Sequence, residues 1–381
     1  MGLTALVAVL ALVNLGVGVG VGVGVGRAFV GSHSAAQSPI QTVPQTAPQT
    51  TTPNGGSSQT LDVQAIAKKV NPAVVDINTV VTGSNGRTAQ AAGTGIILTP
   101  SGQVLTNHHV VQGSSSIKVT IQGRSGTYNA KVVGVGPSAD VALIQIEGVS
   151  GLPTATLADS SSVTVGQAVV AIGNALGQGG TPAATQGSVT ALDQNITAST
   201  GGRNAEQLTG LIQSDAPISP GDSGGPLVNS AGQVVGMITA GESQGYRQTT
   251  STVGYAIPSN AALDIVNQIR AGKASSTIII GQAGYLGVGV NDLTPAVAAQ
   301  LGLNGVSGAL VATVVAGSPA EGVGISPNSV ITAINGTQIG SANSLGPAIQ
   351  SHKPGDQIKV TWVDKSGTHS ANVTLMTGPT A

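Results

Sequence analysis

The chain has 381 residues, which exceeds the usual length of one domain and is sufficient for two domains, each with its own core. A formal net charge of −1 and a charged fraction of 8% argue against a nucleic-acid-binding protein, because phosphate binding needs a basic face. The absence of cysteine excludes disulfides, thiolate metal sites and cysteine nucleophiles. Abundant Val, Ile and Thr together with 56 glycines favour short strands and turns, so we expect a mainly β protein.

The N-terminal segment, residues 1–30, is interpreted as a membrane anchor or a signal segment. Its first 26 residues carry no charged side chain and could cross a bilayer of ~30 Å as an apolar helix. The run is longer than that of most signal peptides and no Lys or Arg precedes it, which favours an uncleaved anchor. Residues 34–36 would suit a cleavage site, so secretion stays open. Residues 31–60, rich in Ser, Thr, Gln and Pro, predict a disordered linker.

Short apolar runs separated by Gly-rich turns follow over residues 73–257 and predict strands of the length that sandwiches and barrels use. A short helix pattern precedes them in residues 61–70. These elements define a first domain over residues 61–272. Strands mixed with helices near residues 295–301 and 342–351 define a smaller α+β domain over residues 282–376.

A helix is expected at the end of the first domain, because apolar residues recur at helical intervals over residues 261–269. Ser259 or Asn260 would provide its N-cap, and Gly272 would stop it.

The most informative stretch is Gly-Asp-Ser-Gly-Gly, residues 221–225. Glycines beside Ser223 allow tight backbone packing and let consecutive N–H groups point at one spot, which is what an oxyanion needs. The simpler alternative is a Gly-rich turn with a surface serine. The pentad also fits the nucleophile elbow of α/β hydrolases, but a strand-like stretch follows it and the downstream histidines, His352 and His369, lie in the second domain. The elbow interpretation therefore fails.

The order of the remaining candidates suits a triad of His, Asp and Ser. Within the first domain the only histidines are His108 and His109, so a serine base has to be one of them. Adjacent side chains point in different directions, so one histidine can serve the site and the other is structural. Asp140 opens an otherwise apolar strand, where a carboxylate is costly unless an imidazolium or similar partner compensates it. A turn aspartate is the alternative explanation.

Five separated motifs occur in register: TNHHVV, DVALIQI, AIGNALG, QSDAPISPGDSGGPLVN and VGYAIPSN. Together they resemble the trypsin-like serine proteases of the HtrA (Deg) family. The resemblance implies an all-β, chymotrypsin-like double β-barrel followed by a PDZ domain. It also implies that His109, the histidine directly before the valine, is the base, with His108 as a structural neighbour. Ser223 would then attack the scissile carbonyl, while Asp140 orients the imidazole.

The same resemblance implies the groups around the triad. Backbone N–H groups of Gly221 and Ser223 are expected to form the oxyanion hole. The S1 pocket should be apolar and shallow and should prefer small aliphatic P1 residues, because its predicted walls carry no acid. These walls are assigned to Ala216, Pro217, Thr239, Ala240 and Gly241.

Asp222 departs from the family pattern, which usually has asparagine at this position. In digestive relatives an aspartate here pairs with a freshly cut N-terminus. No Ile-Val-Gly-Gly-like cleavage site precedes the first domain, so we interpret Asp222 as a residue that stabilises the turn.

The second domain resembles a PDZ module. Residues 317–339 are similar to a pattern of the family, although Asn328 and Ser329 replace its usual Gly-Asp. A peptide C-terminus would bind through backbone amides while the peptide adds a strand. The loop expected to receive it contains Tyr285, Leu286, Gly287 and Val288.

The resemblance predicts an envelope-tethered serine endopeptidase of protein quality control, acting outside the cytoplasm on unfolded or mislocalised proteins. The alternative is a chaperone or peptide sensor in which PDZ binding is the function and proteolysis is vestigial. We expect no metal and no cofactor. Family members are often trimers joined through N-terminal aromatic residues, but no aromatic lies between Val30 and Gly126, so assembly stays open.

Overall fold

The computed structural model describes residues 60–82, 88–174, 180–198, 206–241, 253–275 and 277–378. The predicted apolar helix of residues 1–30 and all but the last residue of the predicted linker lie outside these ranges. Over the ranges described, no helix is both long and apolar enough to cross a membrane.

The first β-barrel follows helix α1 (Val63–Val70) and is antiparallel throughout. Its strands are β1 (Val74–Thr82), β2 (Thr88–Ile97), β3 (Gln103–Thr106), β4 (Ser114–Ile121), β5 (Tyr128–Gly136) and β6 (Val141–Ile146). They pair in the order β5-β4-β1-β2-β3-β6, and β6 pairs back onto β5 to close the ring. Ala142 and Ile144 join the core of this barrel, whereas Val141 and Leu143 join a second apolar cluster. Both faces of β6 are therefore buried, which explains its nearly continuous apolar sequence.

The second β-barrel is also closed, in the order β10-β11-β12-β9-β8-β7. Its strands are β7 (Ala168–Gly173), β8 (Ala183–Ala198), β9 (Glu206–Ser214), β10 (Pro226–Val228), β11 (Val234–Gly241) and β12 (Gly254–Pro258). A core of its own fills it, with Val169, Ile212 and Leu227 among the members. A further apolar cluster joins residues of both barrels, including Leu143 and Met237. The predicted double β-barrel is confirmed.

Helices cover part of this domain. The short helix α2 (His108–Val111) follows β3, and α3 (Ser259–Arg270) follows β12 and packs against β5 and β6. The predicted cap of α3 is wrong, because the helix begins at Ser259 with Pro258 in the cap position. The Ser259 hydroxyl and the Asn260 amide instead donate to Ala158 O and Asp159 Oδ1, at 2.7 and 2.6 Å. Gly272 follows the helix in a left-handed conformation, as a helix stop does.

The second domain is attached through β13 (Ile279–Ile280), which pairs with β5 of the first barrel. Its strands are β14 (Gly284–Tyr285), β15 (Val288–Asp292), β16 (Ala309–Val314), β17 (Val330–Ile334), β18 (Thr337–Gln338), β19 (Gln357–Asp364), β20 (Gly367–Thr374) and β21 (Met376–Thr377). Its helices are α4 (Pro295–Leu301), α5 (Pro319–Gly322) and α6 (Ala342–Gln350). The main sheet has the order β15-β16-β17-β19-β20, so β15 lies at an edge. Helix α6 packs on it, which confirms the predicted α+β character.

Candidate active site

His109 and Asp140 come together at the surface of the first barrel. Asp140 ends a 3₁₀ turn in a left-handed conformation, φ 52°, directly before β6, and its carboxylate is buried. His109 Nδ1 lies 2.9 Å from Asp140 Oδ2, and the His109 backbone N–H donates to Oδ1 at 3.0 Å. The carboxylate therefore fixes both the ring and the backbone of His109. Asp140 is thus a turn residue and also the partner of the imidazole, so the two explanations offered for it both hold.

Thr239 also contacts Asp140, although the sequence pattern had assigned it to the wall of the S1 pocket. Its buried side chain lies in β11 of the second barrel, and its hydroxyl donates to Asp140 Oδ2 at 2.5 Å. The backbone oxygen of Thr239 accepts the Ser223 hydroxyl at 3.3 Å. One residue thereby contacts both Asp140 and Ser223. The sequence signal that could have indicated this role is the single hydroxyl side chain in the otherwise apolar strand Val-Val-Gly-Met-Ile-Thr-Ala.

His108 occupies a different environment from its neighbour. It is 1% exposed, whereas the side chain of His109 is 23% exposed. The structure thus puts His109 at Asp140 and buries His108 in the protein, which agrees with the structural role expected for it.

The loop that carries Ser223, residues 215–225, joins β9 to β10 and contains a tight turn at residues 219–222. Asp222 Oδ2 accepts the Ser219 N–H at 2.7 Å, and the Asp222 N–H donates to Ser219 O at 3.0 Å. Burial raises the pKa of the Asp222 carboxyl, and the hydrogen bond from Ser219 N–H opposes this effect only in part. These contacts are those of a turn-stabilising residue.

Gly224 has to be a glycine in this loop. Its φ is 86°, and a Cβ there would lie 2.0 Å from the backbone oxygen of Thr94. The nucleophile loop therefore packs directly on β2 of the other barrel, in an arrangement that a larger residue would prevent.

The predicted oxyanion donors have no protein acceptor among the described residues. Neither the Gly221 N–H nor the Ser223 N–H donates to a described group. Gly221 has a φ of 101°, and its carbonyl is turned into the protein, where it accepts the Thr94 hydroxyl at 2.7 Å. The expected role of the two N–H groups in an oxyanion hole stays a prediction.

The predicted S1 walls need one correction. Ala216 has no exposed surface and belongs to the core of the second barrel, so its assignment to the pocket wall is wrong. The side chain of Thr239 is directed to Asp140. Pro217 stays half-buried, with its carbonyl accepting the Thr185 hydroxyl at 2.7 Å. Ala240 and Gly241 contribute backbone that pairs with β12.

Ile218 lies in the same segment before Ser223 as Ala216 and Pro217, and it is also buried in the core of the second barrel. Its side chain lies against Gly254, where a Cβ would be 3.0 Å from Ile218 Cδ1. Gly254 pairs with Gly241 of the second predicted wall, so Ile218 packs beside that wall from the barrel core.

The predicted carboxylate loop of the second domain lies between β14 and β15. Leu286 is buried in the domain core, and Gly287 has a φ of 86°. A Cβ on Gly287 would lie 2.1 Å from Ser318 Cβ, so the loop requires a glycine. In the described part of the chain, no protein group accepts the N–H of Leu286 or of Gly287. Tyr285 and Val288 belong to the flanking strands.

The residues that replace the usual Gly-Asp preserve the turn before β17. Asn328 adopts a left-handed conformation with φ 72°, which asparagine tolerates better than most residues. Ser329 is fully buried, and its hydroxyl accepts the Ser326 N–H at 3.4 Å. Over the described residues, no group of three or more His, Cys, Asp or Glu side chains could hold a metal ion.

Comparison with known families and proteins agrees with this architecture. The family described as "Trypsin-like peptidase domain" matches residues 93–237, and the family described as "PDZ domain" matches residues 284–375. The chain thus combines a trypsin-like peptidase domain with a PDZ domain.

Individual relatives define the family more closely. "Serine protease Do-like HtrA" of Lactococcus lactis subsp. lactis (strain IL1403) is 32% identical over 344 residues, which are 82% of this chain and 82% of the relative. "Probable periplasmic serine endoprotease DegP-like" of Ectopseudomonas mendocina (strain ymp) is 35% identical over 305 residues. That alignment covers 78% of this chain and 59% of the relative. The chain belongs to the HtrA family of serine proteases.

Two further comparisons concern length and solved structures. The chain spans 53–59% of the length of several DegP-like relatives, including the one from Hahella chejuensis (strain KCTC 2396). A solved structure titled "HtrA-type protease AlgWS227A with decapeptide" aligns with 84% of this chain and 98% of its own, at 27% identity and a TM-score of 0.48.

Proposed function

We propose that this chain is a serine endopeptidase of extracytoplasmic protein quality control that cleaves unfolded proteins. The observation that carries the proposal is the Asp140 carboxylate, which accepts hydrogen bonds from His109 and from Thr239 while Thr239 also contacts Ser223. These contacts join the proposed base, its orienting acid and the proposed nucleophile. Both named relatives are also described as serine proteases or endoproteases.

In the proposed mechanism His109 removes the proton of Ser223 as the serine attacks the scissile carbonyl, and later gives that proton to the leaving amine. Asp140 holds His109 Nδ1 and stabilises the imidazolium that forms. The N–H groups of Gly221 and Ser223 bind the oxyanion, where the loss of one donor typically costs ~10²–10³ in rate. Nothing in these steps requires a cofactor.

A fluorophosphonate probe tests the assignment of the nucleophile directly. Wild-type protein should be labelled at one residue, which mass spectrometry should locate at Ser223, and it should degrade casein. Ser223→Ala should lose both the label and the hydrolysis while keeping its circular dichroism spectrum. Casein that is bound but not cleaved by the wild type would instead favour the chaperone or peptide-sensor alternative.

Substrate preference is proposed to follow from the predicted walls of the S1 pocket, which carry no acidic side chain. Without an acid in these walls a basic P1 side chain has no partner, so small aliphatic residues such as Val, Ala or Ile are expected. Fit in such a pocket discriminates by only ~1–3 kcal/mol, so selectivity should be loose. Mass spectrometry of casein fragments tests this preference. Cleavage mainly after Lys or Arg would overturn the pocket assignment.

The PDZ domain is proposed to bind peptide C-termini and to assist or regulate substrate binding. The N–H groups of Leu286 and Gly287 would hold the terminal carboxylate, while the peptide pairs with the open edge of β15, next to α6. Isothermal titration with a C-terminal peptide and with its amidated form tests this proposal, because only the free carboxylate should bind.

We also propose domain limits of 61–272 and 282–376, an anchor in residues 1–30 and a location outside the cytoplasm. The apolar composition of the N-terminal segment and the printed name "periplasmic" of a relative support the last two points. An intact N-terminus in membrane fractions is the expected result, whereas a mature start near Gln37 would indicate secretion. Light scattering on residues 61–381 tests whether the chain assembles into a homo-oligomer such as a trimer.

A further inference from the structure

The proposed triad is divided between the two barrels, since His109 and Asp140 lie in the first and Ser223 follows β9 of the second. Activity therefore depends on contacts that hold the nucleophile loop against the first barrel. We infer that Thr94, in β2 of the first barrel, is a positioning residue that sets the orientation of this loop. This inference rests on the proposed function, in which Ser223 is the nucleophile.

Thr94 binds the nucleophile loop at two points. Its backbone N–H donates to Ser223 O at 2.8 Å, and its hydroxyl donates to Gly221 O at 2.7 Å. Its own carbonyl accepts the Thr106 hydroxyl at 2.7 Å, which fixes Thr94 to β3. The residue is completely buried, so water does not compete for these hydrogen bonds.

The direction of the Thr94 hydroxyl is set by its second partner. The backbone N–H of Asn174 donates to Thr94 Oγ1 at 3.0 Å, so the hydroxyl hydrogen remains for Gly221 O. Asn174 is held in turn by Asp76, whose Oδ1 accepts the Asn174 Nδ2 at 2.6 Å. Asp76 is the cross-strand partner of Thr94 between β1 and β2. A buried polar chain from Asp76 through Asn174 and Thr94 thus ends on the loop.

The hydrogen bond from Thr94 to Gly221 O fixes the peptide unit between Gly221 and Asp222, in the middle of the nucleophile loop. Because a peptide unit is planar, a Gly221 carbonyl fixed toward Thr94 directs the Asp222 N–H the opposite way, where it meets Ser219 O. The N–H groups of Gly221 and Ser223 flank this unit, so its rotation would move them away from a shared target. Without the hydroxyl, the half-buried carbonyl of Gly221 would lose this hydrogen-bond partner, which favours such a rotation.

Three variants test the inference with a short peptide substrate and a fluorophosphonate probe. Thr94→Val keeps the shape and removes the hydroxyl, so kcat and the labelling rate should fall about tenfold to a hundredfold, with KM within about threefold. Thr94→Ser restores the hydroxyl and should recover kcat to within about threefold of wild type. Ser259→Ala is the matched control. Ser259 lies in α3, and its buried hydroxyl also donates to a backbone carbonyl, that of Ala158, at 2.7 Å. The kcat of this variant should stay within about threefold.

The outcomes separate this inference from the proposed function. Wild-type kcat in Thr94→Val, or equal losses in Thr94→Val and Thr94→Ser, would overturn the positioning role. If Thr94→Val does not fold, Asn174→Ala decides, because it should lower kcat severalfold at unchanged KM, and an unchanged kcat would overturn the inference. A wild-type protein that neither labels at Ser223 nor cleaves peptide would instead overturn the proposed function.

Discussion

The proposed active site and the proposed PDZ peptide site of this chain are built from different parts of the polypeptide. At the proposed active site the contacts are made by side chains, and the buried Asp140 carboxylate accepts hydrogen bonds from His109 and from Thr239 of the opposite barrel. At the PDZ site, the groups available to a ligand belong to the backbone, namely the N–H groups of Leu286 and Gly287 and the edge of β15. Substitutions should therefore act through chemistry at the first site and through backbone shape at the second.

The two adjacent histidines provide the largest expected effect. His109→Ala should lower kcat by ~10⁶, because loss of the base removes proton transfer from a triad whose members act as a unit. His108→Ala should keep kcat within about tenfold but lower the melting temperature, since His108 is buried. Casein hydrolysis and thermal melts of both variants measure this difference. A dead His108→Ala beside an active His109→Ala would reverse the assignment.

Thr239→Val should produce the next largest effect. Removal of its hydroxyl takes one donor from the buried Asp140 carboxylate, and hydrogen bonds to charged groups contribute about 1.5–3 kcal/mol. We expect kcat to fall about tenfold to a hundredfold at nearly constant KM, with recovery in Thr239→Ser. Thr332→Val, which removes a hydroxyl bonded to a backbone oxygen in the PDZ domain, is the control. Equal losses in the two valine variants would show a general effect on stability instead.

Gly287→Ala tests the backbone character of the PDZ site. The added Cβ would collide with Ser318 at a residue whose φ is already positive, so we expect peptide affinity to fall at least about tenfold. Gly336→Ala is a close control, because Gly336 has a similar φ of 84° but open space around its Cβ position. Its peptide affinity should stay within about threefold in calorimetry. Cleavage of a short peptide should be normal in both variants, and a loss of cleavage would contradict the separation of the two sites.

The contrast also explains how much the sequence could predict. His109, Asp140 and Ser223 were identifiable because a histidine, an apolar-strand aspartate and a glycine-flanked serine are each unusual in their surroundings. Thr239 was assigned to the S1 wall and Thr94 was assigned no role, because a threonine in a strand is ordinary and its partner lies on the other barrel. Knowing which strand packs against which loop requires the fold.

Long-range contacts also explain why the predictions for Ala216, Ser259 and Asn260 were wrong. Ala216 was placed in the S1 wall from its distance to Ser223 along the chain, but its side chain points into the barrel core. Ser259 and Asn260 fit the pattern of a helix cap, yet their polar groups contact residues about a hundred positions earlier. Local patterns indicated the element correctly in each case, and a long-range contact decided where the side chain went.

The smallest expected effects concern one carboxylate in each domain, whose pKa values are shifted in opposite directions. Burial raises the pKa of Asp222, so the folded protein loses stability as the pH rises from ~4 through that raised value and Asp222 ionises. Hydrogen bonds from Ser366 and His369 lower the pKa of Asp364 to about 2, so its contribution is present above ~4 and is lost as the pH falls toward that value. Asp222→Asn should therefore gain melting temperature over wild type as the pH rises. Asp364→Asn should lose a little at pH 5 and match wild type near pH 2. Thermal melts from pH 2 to pH 8 measure both differences, and parallel pH profiles for the two variants would contradict the opposite shifts.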